Sequence, residues 1–370
     1  MEGKRLLHRW DKFVQNLSSD DHIAVIYDAD SDGVAAAVII AKMVQRVRGR
    51  GVDLALCREG DDYTVTPLMI DKLKKKGITK IITVDLALDE DRRCIKTLNK
   101  FAELVIIDHH PVYPQFKGVW SKRILLLKPQ LLFGHPDPAK YASAKLCYDL
   151  AARAVPVTDL DWLAAIGIIG DCATSLWKDF LHELFDRYAL SEKEDWFNTS
   201  LGKISALMAS VEAYNTKCIS QCFCMLYNAT SFTDLVVSPL SRYTKPVDRE
   251  IDLYLKNAPQ LGIVSADFLF LEITPKYRIK SALSTLLGQK MKNKTVVVAD
   301  VSGQIISVST RRNDYTIPMN TIIEKAIEGL ENARGGGHIP AAAARMDKKD
   351  YPLFKKRFLR LIEHSPSVFT

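Results

Sequence analysis

The chain has 370 residues, 47% hydrophobic and 26% charged, so it is too long for one ordinary core and has the composition of a soluble globular protein with two domains. Because no apolar run is long enough to span a membrane and no apolar signal core follows the first residues, we exclude a membrane protein and expect a cytoplasmic location. The formal net charge of +7 fits a polyanionic partner.

Strand and helix patterns alternate after a helical leader at residues 4–17. Short apolar runs, typical of buried strands, lie at residues 23–27, 52–57, 78–85, 104–108 and 123–127. Helical patterns lie between them at residues 34–47, 66–76 and 90–100. Such alternation predicts an α/β fold with a parallel, doubly wound sheet, in which ligands bind beyond the carboxyl ends of the strands.

Three carboxylates follow the first predicted strand at alternate positions: Asp28, Asp30 and Asp32. In an extended chain all three lie on one side. At roughly 4 to 7 Å, like charges repel by a few kcal/mol unless cations lie among them, so we predict a divalent metal site. The alternative is a solvated acidic turn that only caps the helix after Gly33, because Asp is a common N-cap residue.

Polar residues also follow two later strands, which favours the metal site. The third strand ends at Asp85, and the fourth is followed by Asp108, His109 and His110. Three strands therefore bring carboxylates and a histidine pair to one edge of the sheet. Imidazole and carboxylate ligands together suit manganese, with zinc, iron or cobalt as alternatives.

Two helices follow, at residues 141–154 and 159–170, and each carries one candidate. Ser143 lies in the first turn of its helix, where it can donate to a substrate phosphate or only cap the helix. Asp171 follows the apolar end of the second helix, and a charge beside such a surface is costly unless it is paired. We therefore predict that Asp171 is a metal ligand, with an exposed Asp after a helix as the alternative.

The last third of the chain predicts a smaller α/β domain. A polar segment with prolines at residues 238–250 indicates the boundary, so we predict one domain at residues 1–240 and another at 250–370. Strand patterns lie at residues 268–273, 295–300 and 304–310, and helical patterns at 278–291 and 319–330. We predict that residues 191–261 are helical and form the end of the first domain plus a connecting helix.

This second domain contains a candidate phosphate site. Arg311 follows a strand, and the run Gly335, Gly336, Gly337 and His338 precedes a set of alanines. Consecutive glycines let backbone amides approach an anion closely, and an arginine fork matches a phosphate group. We predict a glycine-rich loop that binds phosphate or nucleotide, although a flexible turn is the commoner use of such a run.

Five motifs in this order resemble those of the DHH phosphoesterase family. They are Asp28 to Gly33, Val84-Asp85, Asp108-His109-His110-Pro111, Gly170-Asp171, and Gly335 to His338 with the alanines that follow. The last resembles the signature of the C-terminal domain in one branch of the family. Within that branch the pattern is similar to RecJ-like exonucleases and oligoribonucleases (nanoRNases). The resemblance covers residues 23–346 and implies an active site in the cleft between two domains.

The resemblance implies two manganese ions, for which magnesium or cobalt can substitute. The implied ligands are Asp28 and Asp30 at the first ion, Asp32, His109 and Asp171 at the second, and Asp85 at both. A water held between two such ions attacks phosphorus without a separate general base. The implied substrate contacts are His110 facing the scissile phosphate, Asp108 orienting its neighbours, and Arg311, His338 and the glycine amides holding a phosphate or terminal nucleotide.

The implied function is an exonuclease that releases mononucleotides from single-stranded DNA or RNA, or from short oligonucleotides. Two alternatives stay open: a phosphatase or phosphodiesterase of small nucleotides or cyclic dinucleotides, and a non-catalytic scaffold that binds nucleic acid in replication or repair. A catalytic member could also dock on replication or repair proteins. We favour an enzyme over a scaffold because every ligand position is filled.

The sequence departs from the family pattern in two ways. An Asn-Pro dipeptide common after the histidine pair is Lys128-Pro129 here, which puts substrate contacts there in doubt. The further nucleic-acid-binding domain of large bacterial RecJ enzymes is missing, which argues against processive action. Phe133, Tyr277 and Tyr315 are candidates for base stacking, although packing is the commoner use of such residues.

Overall fold

The computed structural model describes residues 2–58, 65–113, 121–135, 137, 140–235 and 238–363. The chain divides into two units, Met1–Tyr243 and Thr244–Thr370. Within the described ranges, no helix combines the length and the apolar character that crossing a membrane requires.

A five-stranded parallel sheet forms the centre of the first unit. Its strands, in the spatial order β2-β1-β3-β4-β5, are β1 (Ile23–Tyr27), β2 (Leu54–Cys57), β3 (Lys80–Val84), β4 (Glu103–Ile107) and β5 (Ile124–Leu127). The helices are α1 (Glu2–Gln15), α2 (Ser31–Arg48), α3 (Pro67–Lys75), α4 (Arg92–Asn99), α5 (Pro129–Phe133), α6 (Ser143–Ala152), α7 (Asp161–Gly170), α8 (Lys178–Arg187), α9 (Ser200–Tyr214) and α10 (Ile219–Asn228). The predicted α/β fold with a parallel sheet is confirmed.

Helices cover both faces of this sheet, so its strands are continuous apolar runs without alternation. On one face Val25 and Tyr27 pack into a core shared with α2, α6 and α7. On the other face Ala24 and Ile26 pack against residues of α3 and α4. Burial on both faces fixes the strand ends, and therefore the residues that follow them.

Helix α2 begins at Ser31, before the predicted start at residue 34. Asp30 is its N-cap, and Oδ1 of Asp30 accepts a 2.9 Å hydrogen bond from the N–H of Gly33. The expectation of an extended chain through Asp32 is therefore wrong, because Asp32 lies in the first turn of the helix. A Cβ at Gly33 would lie 2.7 Å from the carbonyl oxygen of Asp28, so only glycine lets this turn pack so closely on the end of β1.

The strand register brings three carboxylates to one edge of the sheet. Tyr27 pairs with Val84, and Val84 pairs with Ile107. Asp28, Asp85 and Asp108 are the next residues on these three neighbouring strands. The chain leaves β1 for β2 on one side and later returns to β3 on the other, so the carboxylates lie at the topological switch point where ligands bind in such sheets.

The helices that follow α7 belong to the same core. Leu201, Met208 and Val211 of α9 are buried in the cluster that contains α2, and so is Cys222 of α10. Helix α9 also brings Glu212 towards the strand ends, because that residue contacts the side chain of Arg58 just after β2. Helices α9 and α10 therefore pack as part of the first unit.

The second unit is built on a six-stranded mixed sheet in the order β10-β11-β9-β8-β7-β6. Its elements are α11 (Thr244–Leu261), β6 (Ile263–Val264), β7 (Phe268–Ile273), α12 (Lys280–Lys290), β8 (Thr295–Asp300), β9 (Ile305–Arg311), α13 (Met319–Ile327), β10 (Arg334–His338), β11 (Ala341–Asp347) and α14 (Tyr351–Glu363). Strands β7 and β8 are parallel and the other neighbours are antiparallel. The predicted smaller α/β domain is confirmed.

The glycine run forms a strand, so the predicted glycine-rich loop is wrong. Gly336 pairs with Ala343 in an antiparallel hairpin, and β10 is the edge strand of its sheet. Glycine and alanine both have low strand propensity, which hid the hairpin from the sequence pattern. Gly337 has a φ of 141°, which favours glycine at the turn end of the hairpin.

Candidate metal centre

Carboxylates and imidazoles converge at the switch point in overlapping groups of three. Within each group the ligand atoms lie within 4.8 Å of one another. The groups are Asp28, Asp30 and Asp85; Asp32, His109 and Asp171; and Asp85, His109 and His110. The first two divide the residues as the expectation of two metal ions requires, while the individual ligand roles stay predictions.

Asp32 is fully buried and lies against the start of helix α6. Its Oδ2 accepts a 2.6 Å hydrogen bond from the N–H of Ser143, and its Oδ1 accepts a 2.9 Å hydrogen bond from the N–H of Ala144. The residue at the N-cap position of α6, Ala142, has no side chain that can accept these bonds. Asp32 therefore caps α6 although it lies far away in the sequence, and the two hydrogen bonds hold its carboxylate in one orientation.

Ser143 connects two of the candidate ligands. Its hydroxyl donates a 2.9 Å hydrogen bond to Oδ1 of Asp85, while its backbone N–H donates to Asp32. Ser143 is fully buried, so its hydroxyl serves Asp85, and the expected contact with a substrate phosphate stays a prediction. Asp85 has a φ of 57°, a left-handed conformation that Asp and Asn tolerate better than most residues.

His109 faces two carboxylates with the same ring nitrogen. Its Nε2 lies 3.4 Å from Oδ1 of Asp85 and 3.4 Å from Oδ2 of Asp171. Oδ2 of Asp171 is buried, and no hydrogen bond from the described residues reaches it. A buried carboxylate oxygen without a hydrogen bond costs free energy, and a cation between these three side chains would remove that cost.

The carboxylates raise one another's pKa. Burial and repulsion from Asp30 raise the pKa of Asp32 to about 7. Burial and the Asp32 carboxylate raise the pKa values of Asp85 and Asp171 well above the usual range of an aspartate. Such a cluster of oxygen donors with one imidazole fits a hard or borderline divalent ion such as manganese or magnesium, which would let all of them ionise.

Asp108 and His110 form a separate pair at the rim of this cluster. Oδ1 of Asp108 lies 2.7 Å from Nδ1 of His110. Burial alone would raise the pKa of Asp108, but the charges of His110 and Lys128 outweigh it and hold that pKa well below its usual range. Burial lowers the pKa of His110, and Asp108 more than offsets this, so the pKa of His110 is raised. Asp108 therefore favours the protonated form of His110.

Lys128, which departs from the family pattern, is fully buried. It lies between the segments that follow β3, β4 and β5. Its Nζ lies 2.8 Å from Oδ1 of Asp89 and 2.9 Å from Oδ2 of Asp108. It also donates to the carbonyl oxygens of His110 and Pro111, at 3.0 and 2.9 Å. The ammonium group therefore fixes the loop that presents both histidines, a role that the sequence alone did not reveal.

Arg58 and Glu212 also reach this edge of the sheet and were missed in the sequence. Arg58 directly follows β2, and its guanidinium contacts Asp28 and lies 3.3 Å from Glu212. Burial and repulsion from Asp30 raise the pKa of Glu212 to about 7, although Arg58 opposes the shift. The rule that identified Asp85, a polar residue after a buried strand, would also have identified Arg58.

In the second unit Arg311 and Gly336 lie on one face of the sheet, and Gly335 and Gly337 alternate to the other face. Gly336 pairs with Ala343, which pairs with Ser309, and alternate residues of a strand share a face. Arg311 therefore lies beside this row, and its Nη1 donates a 3.1 Å hydrogen bond to Ser309. His338 ends β10, but its side chain lies outside the described part.

The three glycines meet different surroundings. A Cβ at Gly335 would lie 2.7 Å from Cγ2 of Ile323, and one at Gly337 would lie 2.5 Å from the carbonyl oxygen of Ala341. A Cβ at Gly336 would meet no described atom within 4 Å. Packing therefore explains two of the glycines, and Gly336 leaves open space above the strand.

Positive charge concentrates beside this face. Burial and the neighbouring guanidinium groups of Arg278, Arg311 and Arg345 lower the pKa of Lys280 to about 8, with Asp300 opposing them. Of these cations the sequence pattern singled out only Arg311, because the other three lie in no motif. Together they form a surface that attracts an anion.

Comparison with known proteins supports the motifs. The model of the DHHA1 domain family matches residues 268–364. A protein of Methanocaldococcus jannaschii, named Uncharacterized protein MJ0831, is 31% identical over 154 residues, which are 40% of this chain and 33% of that protein. The chain therefore aligns with a third of that relative's length.

Two solved structures share the fold. RecJ of Thermus thermophilus in complex with Mn²⁺ has a TM-score of 0.70 at 17% identity, covering 99% of this chain and 55% of that chain. An exonuclease RecJ bound to manganese has a TM-score of 0.64 at 17% identity, covering 100% of this chain and 96% of that chain. At this identity the likeness establishes the fold.

The matched domain, the shared fold and the ordered motifs confirm the predicted resemblance. The C-terminal part of the chain matches the DHHA1 domain, the chain shares its fold with RecJ, and its motifs resemble those of DHH phosphoesterases.

Proposed function

We propose that the protein is a manganese-dependent phosphodiesterase that releases mononucleotides from single-stranded DNA or RNA, or from short oligonucleotides. The observation that carries the proposal is the convergence of Asp30, Asp85, His109 and Asp171, from separate parts of the chain, on one set of overlapping groups. The manganese in the two RecJ structures supports the choice of ion.

Residues of the first unit would hold the metal ions and contact the scissile phosphate. Asp28, Asp30, Asp32, Asp85, His109 and Asp171 would hold two ions. Such ions supply an activated water and charge stabilisation at phosphorus. His110 lies at the rim with a raised pKa and its Nδ1 bound to Asp108, so its Nε2 is the group that would donate a proton to a phosphate oxygen or the leaving oxygen.

Lys128 would position this histidine. It holds both the Asp108 carboxylate and the backbone carbonyl of His110, so the imidazole keeps its direction when substrate arrives. Arg58 is a further cation at the centre, and its contact with Asp28 would compete with a metal ion for that carboxylate. Asp28 is therefore the weakest of the six proposed ligands.

The second unit would hold a nucleotide phosphate. Arg311 and Arg345 flank the row formed by Gly336, Ala343 and Ser309, and the space above Gly336 lets an anion approach the strand. Arginine forks and backbone amides are the donors that phosphate groups use most often. A nucleic acid or a small nucleotide would both satisfy this surface.

One experiment tests the function. Purified protein would receive Mn²⁺ and end-labelled DNA and RNA of five and thirty nucleotides, and the products would be resolved by size. We expect mononucleotides, with Asp85→Asn inactive and the exposed control Asp20→Asn fully active. Activity that falls steeply beyond about five nucleotides would favour the small-nucleotide alternative. Binding without cleavage under Mn²⁺, Mg²⁺ or Co²⁺ would contradict the proposal and favour the scaffold.

A further inference from the structure

We propose that Phe133 is a stacking surface for a nucleobase, placed beside the metal centre of the first unit. The inference rests on the proposed function, because it names where that substrate's base would lie. No motif of the sequence includes this residue. Its support is a set of ring contacts and the short chain paths that connect them to the centre.

The Phe133 ring is exposed on one face and supported on the other. It is the last residue of α5, and its exposed fraction of 49% is high for a phenylalanine. Its ring stacks on that of Tyr141, with centroids 5.6 Å apart and an interplanar angle of 12°. Because Tyr141 is buried, one face of Phe133 is covered and the opposite face is open to a second planar group.

Tyr141 is held firmly enough to support that ring. Its hydroxyl donates a 2.7 Å hydrogen bond to Asp149, and the Trp177 ring meets it edge-on with centroids 4.8 Å apart. The His135 ring also meets it edge-on, at 6.0 Å. A fixed aromatic surface loses little freedom when a base stacks on it, which is the condition for useful binding.

Two short chain segments tie this surface to the metal centre. Helix α5 begins directly after Lys128, whose ammonium binds Asp108, and ends at Phe133. At about 1.5 Å of rise per residue, five residues place Phe133 roughly 7.5 Å further along the helix axis. Tyr141 lies two residues before Ser143, whose hydroxyl donates to Asp85. A nucleotide whose phosphate occupies the centre can therefore reach Phe133 with its own base or its neighbour's.

The chemistry favours a base as the occupant. Every nucleobase has an aromatic face, and stacking on a protein ring is tolerant of sequence. The parallel arrangement of Phe133 on Tyr141 continues naturally into a third stacked ring. An aliphatic side chain of a protein partner packs equally well on any apolar residue, whereas a base stacks on a ring. Aromatic and aliphatic substitutions of Phe133 therefore distinguish the two occupants.

The experiment measures hydrolysis of five-nucleotide substrates that carry one abasic site at successive positions. In the wild-type protein, one position should raise KM roughly 5- to 150-fold when its base is removed, the range expected for one stacked base. In Phe133→Ala, KM for the intact substrate should rise by the same factor, and the abasic site should add nothing. The kcat should change little, and Phe133→Trp should restore KM, whereas Phe133→Leu should not.

The outcome that overturns the proposal is a Phe133→Ala protein with KM within twofold of wild type, or an equal abasic penalty in both proteins. Thermal melting of each variant separates folding from binding, and little change is expected at such an exposed residue. If the wild type cleaves no oligonucleotide, the proposed function has failed, and the stacking surface is then judged by binding. A trinucleotide with 2-aminopurine should be quenched by wild type and not by Phe133→Ala, and equal quenching or none would reject it.

Discussion

The carboxylate of Asp32 accepts a 2.6 Å hydrogen bond from the backbone N–H of Ser143, 111 residues further along the chain. The same carboxylate is a candidate metal ligand, so one buried group both caps α6 and faces the cluster. The helix start is thereby built into the site, since Ser143 in turn donates to Asp85. The first turn of α6 and the candidate metal centre therefore share these hydrogen bonds.

The metal-free protein should lose stability as the pH rises. The pKa of Asp32 is raised to about 7, and the pKa values of Asp85 and Asp171 are raised well above the usual range of an aspartate. Carboxyl groups of this kind stabilise the fold fully below about pH 4, and that stability is lost as the pH rises through the folded pKa.

Thermal melting in EDTA at pH 5, 6 and 8 would measure this loss. Mn²⁺ should restore the melting temperature, and by more at pH 8 than at pH 5, because ionised carboxylates bind the ion. A metal-free melting temperature that rises from pH 5 to pH 8, with no response to Mn²⁺, would contradict the assignment of the cluster.

Asp85→Asn should abolish hydrolysis and leave the fold intact. Asn tolerates the left-handed backbone conformation at this position, with a φ of 57°, better than Ala does. It also removes one of the mutually repelling carboxylates, so the metal-free variant should melt at a higher temperature than wild type at pH 8. Isothermal titration with Mn²⁺ should show weakened binding, and full activity in the variant would rule out a bridging role.

Lys128→Met should destabilise the protein strongly. Removing the ammonium leaves Asp89 and Asp108 buried without their partner, and breaking a buried pair in this way typically costs about 3–5 kcal/mol. Urea unfolding would measure the change. Lys80→Met, which breaks pairs with Glu103 and Asp21 at a less buried position, should cost less than Lys128→Met.

A second substitution tests whether charge is the cause. Asp89→Asn in the Lys128→Met background should recover part of the lost stability, because it removes one of the uncompensated carboxylates. If the double variant is less stable than Lys128→Met alone, the loss comes from packing and the charge argument fails.

Two neighbouring glycines should respond differently to alanine. Gly336→Ala should change the free energy of unfolding by less than about 0.5 kcal/mol, because its Cβ meets open space, and should raise KM if an anion approaches there. Gly335→Ala should destabilise by about 1–3 kcal/mol, because its Cβ would press on Ile323. Unchanged KM in Gly336→Ala would remove the glycine strand from the substrate site.

The parallel sheet could be predicted because buried strands carry apolar residues on both faces and end in polar residues. That pattern identified Asp28, Asp85 and Asp108, whose proximity follows from strand register. The grouping of His109 with Asp171 rests on the packing of α7 on α2 and α6, and the sequence indicated this grouping only through the resemblance.

Other features depend on tertiary contacts that have no local pattern. Lys128 resembled a lost substrate contact, yet its place between Asp89 and Asp108 is set by how three strand ends meet. The glycine strand was predicted as a loop because glycine has a low strand propensity. Only the backbone pairing of this segment with the strand that contains Ala343 shows that it is a strand. Arg58 directly follows the end of a strand, so the rule that identified Asp85 could also have identified it.

The most direct test is a crystal of the protein soaked in manganese and measured at the manganese absorption edge. We expect two anomalous peaks within the cluster, with Asp30, Asp85, His109 and Asp171 among their ligands. Peaks elsewhere, or these four side chains turned away from any bound manganese, would contradict it.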